Sequence, residues 1–101
     1  MDYKDMKNER FGFVYIYDGT KSCWVDGIML PRLEELSKEY KNSKFFPIDI
    51  KKNPEVTGEF LVFVTPVLIV YYDGLEVLKK IRFFSSSEIK EEIEKFLKKM
   101  L

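Results

Sequence analysis

The chain contains one cysteine, Cys23, and no histidine. A cysteine thiolate is a strong nucleophile and the reactive form in disulfide chemistry. One thiol closes no intrachain disulfide and builds no multi-thiolate metal site. Without histidine, His-based metal sites and Ser–His or Cys–His activation are excluded as well. Any disulfide that Cys23 forms must join it to a sulfur of another molecule. No cofactor and no metal are expected.

The composition narrows the remaining classes. Lys+Arg and Asp+Glu both number 17, so the formal net charge is zero and nothing favours an electrostatic hold on nucleic acid or an anionic membrane. Apolar residues make up 46% of the 101, with nine Phe and six Tyr, enough for one core. The first residues are highly charged and lack the apolar stretch of a signal peptide, and the longest apolar run, around Val67–Tyr72, is too short to cross a bilayer. A soluble, cytoplasmic protein is expected, with residues 1–10 a charged segment and 11–101 one domain.

Several elements must position Cys23. Phe11–Tyr17 (FGFVYIY) is apolar on both alternating faces, as a strand buried on both sides would be. A loop, Asp18-Gly19-Thr20-Lys21-Ser22, leads to the cysteine. From 24 to 40, Val25, Met29, Leu33, Leu36 and Tyr40 form a helical stripe, and Pro31 inside it predicts a kink. Residues 45–50 read as a strand whose Pro47 belongs at a sheet edge. Asn53-Pro54 reads as a helix start with Asn53 as cap, Val56 and Phe60 giving the short helix its apolar face. Val67–Tyr72 reads as a strand, Asp73-Gly74 as a hairpin turn, and 76–83 as the return strand. Ser85 with Glu88 forms a possible capping box before a helix carrying Ile89, Ile93, Phe96, Leu97 and Met100 on one face. The aromatics Phe45, Phe46, Phe60, Phe63, Phe83 and Phe84 are read as core and sheet packing, and the lysines at 79, 80, 90, 95, 98 and 99 as solvated surface.

This order resembles the thioredoxin family. Cys23-Trp24-Val25-Asp26 stands where the family has Cys-x-x-Cys, and Pro31 follows at the family's spacing. Leu33 to Tyr40 resembles the continuation of that helix. Ile48-Asp49-Ile50, Asn53-Pro54 and Thr65-Pro66 reproduce the spacing to its cis-proline, and Asp73-Gly74 matches its hairpin. Val14 to Tyr17 and the five-residue loop before Cys23 are also similar to small bacterial relatives, including the bacteriocin-transport accessory type. The resemblance covers 11–101 and implies an α/β, three-layer fold: a central mixed four-stranded sheet flanked by helices. It also implies that the family's N-terminal strand and helix are missing, since ten residues are too few for them.

The resemblance further implies that Cys23 is the nucleophile at a helix N-terminus, where the dipole and free amides stabilise a thiolate. Two readings stay open: a reactive, partly exposed thiol, or a small buried hydrophobe. The second cysteine is replaced by Asp26. Either its carboxylate, one helical turn away, raises the thiol pKa against the dipole, or it is a first-turn acid that complements the dipole and does no chemistry. The family's buried acid before the motif corresponds to Tyr15, and its glycine after the last strand to Arg82, a long cation that would recharge the groove. Thr65 and Pro66 would leave backbone free to pair with an extended peptide. Trp24 reads either as an aromatic platform for a partner or as packing against its own loop. The expected partner is a protein or small thiol at the Cys23/Pro66 groove, or a second chain through a Cys23–Cys23 disulfide. Exchange by Cys23 alone competes with a non-catalytic, peptide-binding module.

Overall fold

The structure, a computed structural model, describes residues 10–20, 24–82 and 84–100, and for 24–26 the backbone only. The elements run β1 (Phe11–Tyr17), α1 (Trp24–Ser37), β2 (Ser43–Asp49), α2 (Val56–Glu59), β3 (Val67–Tyr72), β4 (Leu75–Ile81) and α3 (Ser86–Met100). The four strands form one sheet in the order β2-β1-β3-β4. β1 pairs parallel with β2 and antiparallel with β3, and β4 runs antiparallel to β3, giving the mixed sheet anticipated from sequence. The expectation of a missing N-terminal strand concerns residues outside those described.

β1 is flanked by a strand on each side and covered on both faces, which is why its residues are apolar throughout. Side chains alternate across a strand. Phe11, Phe13 and Tyr15 therefore join Met29, Leu33 and Leu36 of α1 and Ile89 and Ile93 of α3 on one face. Val14 and Ile16 point the other way, into a second cluster with Phe46, Ile48, Val56 of α2, Val67 and Ile69. Two helices thus cover one face and a short helix the other. Fully burying one such side chain is worth about 1.5–3 kcal/mol, so these clusters supply the main driving force.

Pro47 sits exposed on the edge strand β2, where a missing N–H costs no ladder bond to a further strand. The hairpin turn places Asp73 and Gly74 at φ 49° and 83°, left-handed at both positions as a two-residue type I′ connection requires. α3 starts after Ser85, whose Oγ accepts the Glu88 N–H at 3.2 Å. Only this half of the expected box forms among the described residues; the Ser85 hydroxyl also meets that of Ser87 at 3.1 Å. No helix among the described residues is long and apolar enough to cross a membrane.

Several local expectations are corrected. α1 ends at Ser37, not at residue 40: the next amides bond three residues back, Glu39 to Leu36 and Tyr40 to Ser37, which tightens the last turn. Tyr40 leaves the helix to pack on Phe11, ring centroids 5.0 Å apart. β2 spans Ser43–Asp49, not 45–50, though the Ile50 N–H still reaches the Tyr17 carbonyl at 2.9 Å. Asn53 does not cap α2. The N-cap is Glu55, without a side-chain cap bond, and the Asn53 amide instead donates to the Asp49 carbonyl at 3.4 Å, closing the turn out of β2. β4 stops at Ile81, not 83, because Arg82 turns into left-handed backbone at φ 68°. Phe46 is buried and Phe45, Phe60 and Phe84 half-buried, but Phe63 is 90% exposed and belongs to no core; Phe83 lies outside the described residues. Of the lysines, Lys79 is not merely solvated. Its Nζ donates to the carbonyls of Phe60, at 3.2 Å, and Leu61, at 3.5 Å.

Candidate functional site

Cys23 lies outside the described residues. The helix begins at the next position, so the backbones of Trp24 and Asp26 form the first turn of α1, while their side chains are not described. The loop that leads there is held at a defined point. Asp49, at the end of β2, accepts the Gly19 N–H at 2.7 Å and the Lys51 N–H at 2.9 Å through the same Oδ1. Asp18 folds back on its own loop, its Oδ1 accepting the Thr20 N–H at 2.9 Å and the Thr20 hydroxyl at 2.5 Å. A Cβ at position 19 would collide with the Asp49 carboxylate, so a side chain there would force Asp49 to shift. Sequence reasoning passed over Gly19 and Asp49; the Asp18-Gly19 pair signalled a turn, but its long-range partner had no signature.

The Thr65–Pro66 peptide bond is cis. Just before it, the Val62 N–H donates to the Thr57 carbonyl at 2.8 Å, and then backbone pairing stops: Phe63, Val64 and Thr65 form no backbone–backbone hydrogen bond among the described residues. Pairing resumes at Pro66, whose carbonyl accepts the Arg82 N–H at 2.8 Å. That bond extends the β3–β4 ladder one step beyond the Val67–Ile81 pair and fixes Arg82 next to the cis-proline. Asp18, Phe63, Thr65 and Arg82 line one cavity of about 230 Å³. Of the residues picked out from sequence, the structure therefore brings Thr65, Pro66 and Arg82 together. It adds Phe63, which its apolar character had assigned to the core.

Tyr15, at the position of the family's buried acid, is fully buried. Its ring stands 6.0 Å from that of Tyr17 and 6.4 Å from that of Phe84, among the apolar side chains under α1 and α3. An aromatic ring fills the volume there. Among the described residues no three His, Cys, Asp or Glu side chains converge as a metal site would need.

No family model matches the chain. The thioredoxin-like protein YdfQ of Bacillus subtilis (strain 168) is 31% identical over 90 residues, covering 89% of this chain and 79% of that protein. Thioredoxin of Staphylococcus saprophyticus is 35% identical over 76 residues, 74% of this chain and 73% of its own length. Among solved structures, thioredoxin 1 from the thermophilic eubacterium Thermosipho africanus superimposes with a TM-score of 0.74 at 29% identity, covering 86% of this chain and 94% of that one. Oxidised thioredoxin from Plasmodium falciparum gives 0.75 at 24% identity, covering 93% and 88%, a likeness of fold. Identity above 30% along most of both chains, together with the likeness of fold, shows that the chain belongs to the thioredoxin-like family.

Proposed function

We propose that the chain exchanges thiols and disulfides through Cys23 alone, on a partner laid in extended form along 63–65. The observation that supports this reading is the backbone of Phe63, Val64 and Thr65 beside Pro66, which forms no backbone–backbone hydrogen bond among the described residues. An extended peptide there would gain main-chain hydrogen bonds that the fold leaves unmade.

The step is a displacement at sulfur. The Cys23 thiolate attacks one sulfur of a partner disulfide, the new S–S bond joins Cys23 to that sulfur, and the other sulfur leaves as a thiolate. With one cysteine in the chain, the mixed disulfide is resolved by a second thiol from outside, such as glutathione. The macrodipole of α1 favours the thiolate and a carboxylate at Asp26 opposes it, so the pair sets how much thiolate exists at neutral pH. Removing that charge in Asp26→Asn should move the midpoint of the alkylation rate against pH downward. An unchanged midpoint assigns Asp26 to the helix dipole only.

The decisive test is turnover of a glutathione–peptide mixed disulfide in the presence of glutathione. Release of the peptide thiol should be accelerated by the chain and not by Cys23→Ser. A Cys23 pKa at or above that of an ordinary thiol, with no acceleration, would sink the reading. The unpaired segment equally suits a second reading, a non-catalytic module, because strand addition needs no thiol. Equal partner binding by Cys23→Ser and the parent chain favours that module. A Cys23–Cys23 dimer would show as a species of doubled mass lost on reduction.

A further inference from the structure

Arg82 is exposed, and among the described residues it forms no ion pair. Its backbone is not free to swing away, since the N–H is tied to the Pro66 carbonyl at 2.8 Å. Two other charged side chains here make hydrogen bonds within the chain. Asp18, in the same cavity, is bonded to Thr20, and Lys79 spends its ammonium on the Phe60 and Leu61 carbonyls. Among the described residues the guanidinium is thus a cation without an ion-pair partner, beside the cis-proline.

Exposed apolar side chains stand beside Arg82: Phe63, 90% exposed, and Val64, 39%, line the same cavity, and Ile81, 50%, precedes it in the chain. Lys79 and Ile81 stand opposite Ile69 and Val67 in the β3–β4 register, which puts Ile81 on the sheet face covered by α2, where the 60–64 segment runs. Apolar side chains held out to water beside an exposed cation suit a docking surface: aromatic and apolar anchors supply contact area and the charge supplies selection.

We propose that Arg82 and Phe63 make this groove selective for an extended partner segment in which an acidic side chain meets Arg82 and a neighbouring apolar side chain lies on Phe63. This rests on the peptide-binding groove proposed above and names the chemistry of its occupant. The reason for an acidic residue is complementarity: guanidinium pairs in bidentate fashion with carboxylate, and a basic residue at the same place would face a like charge.

The test uses Cys23→Ser, so that no covalent capture contributes, and a series of eight-residue, valine- and leucine-containing peptides in which one Glu or one Lys is walked through the positions. Fluorescence titration at low salt should find a position where the Glu peptide binds roughly three- to fivefold more tightly than its Lys twin, with the difference shrinking at 1 M salt. Arg82→Glu should invert the preference. Arg82→Gly, which suits the left-handed backbone and keeps the fold, should abolish it. Phe63→Ser should weaken Glu and Lys peptides alike. The proposal is overturned if no position discriminates, if the preference survives Arg82→Glu, or if no peptide binds. None of these outcomes touches the mixed-disulfide assay on the parent chain, so failure here and failure of the exchange reading are told apart.

Discussion

Arg82 sits at φ 68°, a backbone region that costs an L side chain about 1 kcal/mol relative to glycine. Arg82→Gly keeps the N–H that bonds Pro66, so it should raise stability by about that amount, read as a Tm several degrees higher in thermal denaturation. A lower Tm would mean that the Arg82 side chain contributes packing the backbone argument omits. Gly19 makes the opposite case. A Cβ there meets the Asp49 carboxylate, so Gly19→Ala should displace it, break the 2.7 Å bond and cost about 1–3 kcal/mol in denaturant unfolding. Asp49→Asn keeps an oxygen acceptor and should cost less than Asp49→Ala; equal losses would show that charge, not the two hydrogen bonds, holds the loop.

Among the elements, α3 carries the clearest separable contribution. Ser85→Ala removes the acceptor for the Glu88 amide and should cost about 0.5–2 kcal/mol. The α1–α3 side also contains a pH-sensitive contact. Tyr40 donates to Glu94 Oε1 at 3.1 Å, and burial, then this bond to a carboxylate, push its hydroxyl pKa above the ordinary 10.0. The folded chain therefore holds the proton more tightly than the unfolded chain. That stability is complete below pH 10 and is lost as the pH rises beyond it. Tyr40→Phe retains the ring contact with Phe11, so its Tm should fall less steeply above pH 10 than that of the parent. An identical alkaline limb would assign the effect to other tyrosines; Tyr71, raised by burial and then by Glu76, is the next one.

For the molecule as a whole, the two clusters on either face of β1 dominate stability. Leu33→Ala, at a fully buried position between α1 and the sheet, should cost about 2–5 kcal/mol, a large part of the stability of a chain this size. Urea unfolding would show it as a lowered midpoint at unchanged slope. The sequence by itself determined the sheet and its helices, because alternation, the helical stripe, the Asp73-Gly74 turn and the edge proline are local periodic signals that tertiary context reinforces. It also set the limit on chemistry, since one cysteine and no histidine exclude whole mechanisms before any fold is known. Tertiary structure decided what depends on contacts between distant residues. It freed Asn53 from capping, ended β4 at Ile81, tied Gly19 to Asp49 and turned Phe63 out to solvent. Apolar character says that a side chain gains by burial, but only the packed arrangement says whether a burial site exists for it. At Phe63 none does, and its side chain stays exposed at the cavity it lines with Thr65 and Arg82.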